Sequence, residues 1–114
     1  MAKYEKVFRG NFNELLKIAD KTIMQSMSAT LEDGSDTSFG DFRVAIRVYE
    51  RFSWIGGNRV SLNLTLVGEG DRLFVSAITS GGSQAMFHKI NTLGEESFLE
   101  TLVDVLDNYA AGRQ

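Results

Sequence analysis

Phe42-Arg43-Val44-Ala45-Ile46-Arg47-Val48-Tyr49-Glu50-Arg51-Phe52 is the stretch whose reading decides the fold of this chain. Phe42, Val44, Ile46 and Val48 alternate with Arg43, Ala45, Arg47 and Tyr49, the period of two that a half-buried antiparallel strand requires. Further on, Val60, Leu62, Leu64 and Leu66 repeat the alternation against Ser61, Asn63 and Thr65. Between the two runs, Ile55-Gly56-Gly57-Asn58 supplies residues that tolerate positive φ, so the pair reads as a hairpin. A second turn at Gly68-Glu69-Gly70-Asp71 leads into Leu73 to Thr79, which predicts a three-stranded meander at the centre of the sheet.

On the N-terminal side, Tyr4 to Arg9 reads as a short strand ending at Gly10. Asn11 with Glu14 three residues on resembles a capping box, and Phe12, Leu15, Leu16, Ala19, Ile23 and Met27 then form one apolar stripe. Ser28 to Leu31 reads as a short strand, and the polar run Glu32 to Gly40 as a loop or wide connection. Beyond the meander, Gln84 to Leu93 has no clean period and receives no assignment. Thr92 with Glu95 is a second capping box, followed by Phe98, Leu99, Leu102, Val103, Leu106 and Tyr109 on one face of a closing helix. The order strand, helix, strands, helix predicts one α+β domain over residues 1–114. It is a two-layer arrangement, an antiparallel sheet of about four to five strands with two helices on one face.

Composition narrows the function classes. The chain has 114 residues, 43% hydrophobic and 24% charged, with no proline and no cysteine, which suits one ordinary globular core. Without cysteine there are no disulfides, thiolate nucleophiles or cysteine-held metals, and one histidine, His88, is too few for an ordinary zinc site. No metal or cofactor is implied. No run approaches the roughly 20 apolar residues of a membrane span, and the N-terminus lacks a signal-peptide core, so the expectation is a cytoplasmic protein without a membrane partner. A net charge of −3 weighs against nucleic acid as a partner.

Three places attract a functional reading. Arg43, Arg47 and Arg51 share one strand face at spacings of about 13 Å, with Tyr49 between them and Arg59 past the turn. If the helices cover the apolar side, this stripe faces solvent as a partner or anion surface; the plainer reading is a solvated sheet face. Glu50 falls on the apolar parity with Phe52 and Trp54, where an uninterrupted register would aim a carboxylate at the core. A bulge or the end of the sheet would leave it in water. Gly81-Gly82-Ser83-Gln84 with His88 and Lys89 is a glycine-rich bend without the spacing of a phosphate loop. Asp33-Gly34-Ser35-Asp36 is a fragment of a calcium loop without the rest, and reads as a loop. Trp54, Phe52 and Phe42 are candidates to line a pocket between the sheet and the closing helix.

The closing helix carries five acids from Glu95 to Asp107 and no base, whereas Phe42 to Val60 carries four arginines and one glutamate. This asymmetry suits a two-fold dimer that brings sheets together or sets acid against base.

The run Thr79-Ser80-Gly81-Gly82-Ser83-Gln84-Ala85-Met86-Phe87-His88-Lys89-Ile90-Asn91, with Gly94-Glu95-Glu96-Ser97-Phe98-Leu99, resembles an uncharacterised bacterial family of short α+β domains. The resemblance covers nearly the whole chain and implies no activity and no catalytic residue. The order of elements is similar to helix-grip and TATA-binding-protein-like architectures. Helix-grip proteins often bind apolar ligands in a cavity, but this chain is short for their full set of strands.

Together these features favour a non-enzymatic module that self-associates and meets a protein or small molecule through Arg43, Arg47, Tyr49, Arg51, Glu50, Trp54 or His88. The rival is a pocket protein or small enzyme with its site near Glu50, Trp54 and His88.

Overall fold

The computed structural model describes residues 2–52, 59–81 and 88–112, the side chains of 88–97 excepted. Among the described residues the elements run β1 (Ala2–Arg9), α1 (Phe12–Met24), β2 (Thr30–Phe39), β3 (Phe42–Phe52), β4 (Arg59–Glu69), β5 (Arg72–Gly81) and α2 (His88–Ala111). The five strands form one antiparallel sheet in the order β1-β5-β4-β3-β2, with β4 at its centre.

Local chemistry accounts for the element ends. Asn11 is extended, and its Oδ1 accepts from the Glu14 N–H at 2.9 Å, satisfying one orphan donor of α1. The Asn11 N–H itself donates to Tyr109 Oη of α2 at 3.0 Å, so the cap also ties the two helices together. Gly40 and Gly70 hold φ of 56° and 60° in the tight turns Gly40-Asp41 and Gly70-Asp71, where a two-residue hairpin favours glycine first.

The core joins both helices to alternate strand residues. Val60, Leu62, Leu64 and Leu66 of β4 and Leu73, Val75 and Ala77 of β5 are buried. They cluster with Phe12, Leu15, Ala19 and Ile23 of α1 and with Phe98, Leu99, Leu102 and Leu106 of α2. α2 packs on β5, β1, β4 and α1, and α1 also contacts β4. Each fully buried leucine stabilises the fold by about 1.5–3 kcal/mol relative to an exposed one.

The β3–β4 register corrects the expected orientation of β3. Tyr49 stands opposite Leu62, Arg47 opposite Leu64 and Ala45 opposite Leu66. Residues paired across a ladder share a face, so the β4 leucines carry the odd-numbered residues of β3 to the helix side. Ala45 and Tyr49 are buried, whereas Phe42 and Phe52 are exposed and Val44, Ile46 and Val48 are half-buried on the opposite face. The apolar set of β3 was expected beneath the helices and lies on the other side.

Three smaller expectations also change. Glu32 to Gly40, expected as a loop, is strand through Phe39, and it includes the calcium-loop-like Asp33-Gly34-Ser35-Asp36. Pairing with β3 supplies the hydrogen bonds that its own polar sequence does not advertise. Thr92 lies inside α2, which begins at His88. Met27, the last member of the predicted α1 stripe, falls beyond the helix and is exposed. The expected turn at 55–58 lies outside the described residues.

Candidate functional site

The arginine stripe lies on the helix side of the sheet, with Arg47 and Arg51 half-buried and Arg43 exposed at the margin of the core. Arg43 lays its guanidinium over the Phe12 ring at 4.2 Å, and Arg51 does the same over Phe98 at 4.6 Å. Such contacts contribute about 0.5–1 kcal/mol each at exposed sites, while the aliphatic stems cover apolar surface. Arg47 Nη2 pairs with Asp36 at 3.0 Å, and its Nη1 donates to the Ile46 carbonyl at 2.9 Å. Tyr49, fully buried, donates to Asp20 Oδ1 at 2.7 Å, and burial together with that carboxylate raises its phenol well above the usual tyrosine range. Arg51 Nη1 donates to Ser26 Oγ at 2.8 Å, and burial lowers the affinity of its guanidinium for its proton. Arg43 and Arg51 therefore meet the helices of their own chain and Arg47 meets β2, so the stripe lies on the helix side of the sheet and not on the free face where it was expected.

The other predicted residues separate. Glu50 keeps the expected parity with Phe42, Val44, Ile46, Val48 and Phe52, but that parity does not lead to the core. Its Oε1 pairs instead with Arg59 Nη1 at 3.0 Å. Phe42 and Phe52 also point away from the helix side, so they line no pocket beneath α2. Trp54 lies outside the described residues; His88 opens α2, and its side chain is likewise outside them. Among the described residues, no three His, Asp or Glu side chains gather as a metal site would require. No described helix is long and apolar enough to cross a membrane. One acid of α2 is used within the chain: Asp107 Oδ1 accepts from Tyr4 Oη at 2.6 Å and from Lys6 Nζ at 3.1 Å.

The second face of the sheet is the feature that sequence reasoning missed. Register places Thr37, Val44, Val67, Phe74 and Val7 side by side in one row across all five strands. The neighbouring row on that face runs Ser35, Ile46, Thr65, Ser76 and Glu5, and the row beyond it Asp33, Val48, Asn63, Ile78 and Lys3. Phe39 and Phe42 stack at 5.9 Å at one end. Val7 is 68% exposed and Phe39 65%, and Phe42, Phe52 and Ile78 are exposed as well. The continuous part of this apolar surface is the row Val44, Val67, Phe74 and Val7, and an exposed apolar row marks a candidate interaction surface. The clue was available in Tyr4 to Arg9 and Leu73 to Thr79, whose second faces carry Val7, Phe74 and Ile78 among polar residues.

The flanks of that face differ. β2 is an edge strand exposed along its whole length, with Glu32, Asp33 and Asp36 and a register shift between Leu31 and Asp33. Charge and a bulge are the usual means of discouraging strand addition at an edge.

No curated protein matches the chain. Residues 1–110 match the model described as Family of unknown function (DUF6054), and with that coverage the chain belongs to this family.

Proposed function

We propose that this chain is a non-enzymatic, two-layer interaction module, both helices on one face of its sheet, that pairs with a second copy by stacking the open faces of the two sheets. The apolar row Val44, Val67, Phe74 and Val7 is the observation that carries the reading. A lone domain has little reason to present it to water.

Area and one pair of edge charges favour a second copy as the occupant. Five strands about 4.8 Å apart and about 27 Å long offer a face of about 650 Å², close to the roughly 800 Å² per partner of a standard interface. Face-to-face sheets pack about 10 Å apart with strands nearly aligned. A two-fold axis along β4 sets β1 of one copy over β2 of the other. Asp33 and Lys3 end the same row at opposite edges, so Asp33 of each copy then stands over Lys3 of the other. Val44 comes over Phe74 and Val67 meets its own counterpart, which makes the patch self-complementary. The blunted β2 edge argues for stacking over extension of the sheet. A cysteine-free chain is compatible with a cytoplasmic setting.

Sedimentation equilibrium on the full chain tests this. Twice the chain mass, dissociating only on dilution, is the expected result. A single chain mass at every concentration up to about 100 µM, an energy threshold of roughly 5–6 kcal/mol, overturns it.

A further inference from the structure

We infer that the turn end of the open sheet face is a clasp for a second copy of this chain, in which Arg72 and Arg9 of one copy lie over the Phe42 and Phe39 rings of the other. The inference rests on the stacked dimer proposed above and names the contacts that fix its register.

The row next to the apolar one runs Phe39, Phe42, Glu69, Arg72 and Arg9. It lies at the end of the sheet closed by the turns Gly40-Asp41 and Gly70-Asp71, where every residue is described. One half of the row is aromatic and the other cationic. Phe39 and Phe42 stack at 5.9 Å, both exposed, and among the described residues no cation sits on either ring. Arg72 and Arg9 stand directly opposite each other across the β1–β5 ladder, both exposed, and neither forms an ion pair with a described residue. Like charges in that position destabilise a ladder. A single chain thus carries a guanidinium pair without a counterpart and a ring pair without a cover.

A two-fold axis along β4 keeps each row over itself and reverses its direction. β5 of one copy then lies over β3 of the other and β1 over β2, which brings Arg72 over Phe42 and Arg9 over Phe39, twice per dimer. Sheets about 10 Å apart leave room for a guanidinium to lie on a ring, and the attraction grows where water is excluded. Glu69 meets its own counterpart on the axis. Each of these two carboxylates then stands between two guanidiniums, Arg72 of its own chain beside it and Arg72 of the other copy across from it, so the four charges alternate and sum to zero. Sliding one sheet along the other by a single row sets Arg72 over Val44 and Glu69 over Val67, and the match is lost.

The plainer reading leaves both arginines in water and has the rings stack only to close the Gly40-Asp41 turn. Three full-length chains separate the two readings: the native one, Arg9→Gln with Arg72→Gln, and Phe39→Leu with Phe42→Leu, which keeps an apolar side chain at both positions. By sedimentation equilibrium each double variant should show a dimer dissociation constant at least about thirtyfold above the native one, since each loses all the ring contacts of both clasps. Mixed one to one, the two variants recover one complete clasp, because the rings of the first chain lie under the arginines of the second. With one chain isotope-labelled, native mass spectrometry should therefore find mixed dimers well above the statistical half, at roughly four-fifths. Every substituted position is exposed. Should a double variant not fold, Arg72→Gln alone should still weaken the dimer at least about fivefold. Mixed dimers at the statistical half, or an arginine variant that dissociates as the native chain does, overturn the clasp and leave the stacked dimer standing. A native chain that stays monomeric overturns the dimer itself, and the clasp with it.

Discussion

Val67→Glu is the sharpest probe of the open sheet face. Val67 lies on β4, the central strand, half-buried between Val44 and Phe74 in the row that crosses the sheet. In a two-fold stack about β4 the substitution occurs twice, and both carboxylates enter the middle of the interface facing each other. Leaving one buried charge without a partner costs about 2–5 kcal/mol in an interface. Two such groups therefore cost at least about 4 kcal/mol, or about a thousandfold in dissociation constant, before their mutual repulsion is added. The monomer should hardly notice, since the side chain there remains partly in water and the loss of strand propensity is at most about 1 kcal/mol. Sedimentation velocity across a dilution series reads the first effect, and urea unfolding of dilute protein reads the second. Lys17→Glu, on the exposed side of α1, is the matched control for charge and should change neither. A Val67→Glu protein that keeps the native mass and dilution behaviour refutes the stacked dimer. One that loses several kcal/mol of monomer stability would place Val67 in a core of the single chain instead.

The same geometry predicts a charge-swap rescue. Asp33→Lys should weaken dimerisation by opposing Lys3 of the other copy, and adding Lys3→Asp should restore it; failure of the rescue on sedimentation removes the axis along β4. Gly68→Ala tests the packing beneath α1, because a Cβ there would lie 2.7 Å from Phe12 Cδ2 and 3.1 Å from Leu73 Cδ2. Overpacking of this kind costs about 1–3 kcal/mol, and an unchanged urea midpoint would show that the Phe12 ring has room to retreat. Asp107 sets a pH dependence. The Tyr4 hydroxyl and then Lys6 hold its carboxyl below the usual aspartate range. A depressed folded-state value gives stability that is present above the unfolded value of about 3.9 and lost as pH falls through the folded value. Asp107→Asn should therefore be less stable than the native chain at neutral pH, with the difference narrowing below about pH 4; a constant difference in urea unfolding across that range contradicts the assignment.

Much of the fold was legible because local signals and burial agree. Asn11 caps α1 as its spacing with Glu14 suggests, and Phe12, Leu15, Ala19 and Ile23 form the buried stripe. The leucines of β4 contrast with Ser61, Asn63 and Thr65, and they face the core. β2 was illegible for a definite reason. It lies at the sheet edge with no buried residue, so no alternation of apolar and polar residues was needed to specify it. Its strand character comes from the tight Gly40-Asp41 turn and from the ladder on β3, both non-local to Glu32 through Ser38.

The site was misread because hydrophobicity alone does not choose a face when both faces of a strand carry apolar matter. The even set of β3 is the more apolar, yet Ala45, Tyr49 and the arginine stems fill the helix side, where α1 and α2 supply Asp20, Ser26, Phe12 and Phe98 as partners. What decides between the faces is arithmetic between strands. In both hairpins closed by two-residue turns, the numbers of paired residues add to an odd total: Phe39 with Phe42, Glu69 with Arg72. β3 and β4 obey the same parity, Tyr49 with Leu62, so the even residues of β3 and β4 cannot both be buried. The unbroken leucine series of β4 takes the core, and the Phe42, Val44, Ile46, Val48 series is displaced to the opposite side. An apolar strand face excluded from its own core by its neighbour's register is the physical origin of the surface proposed to pair.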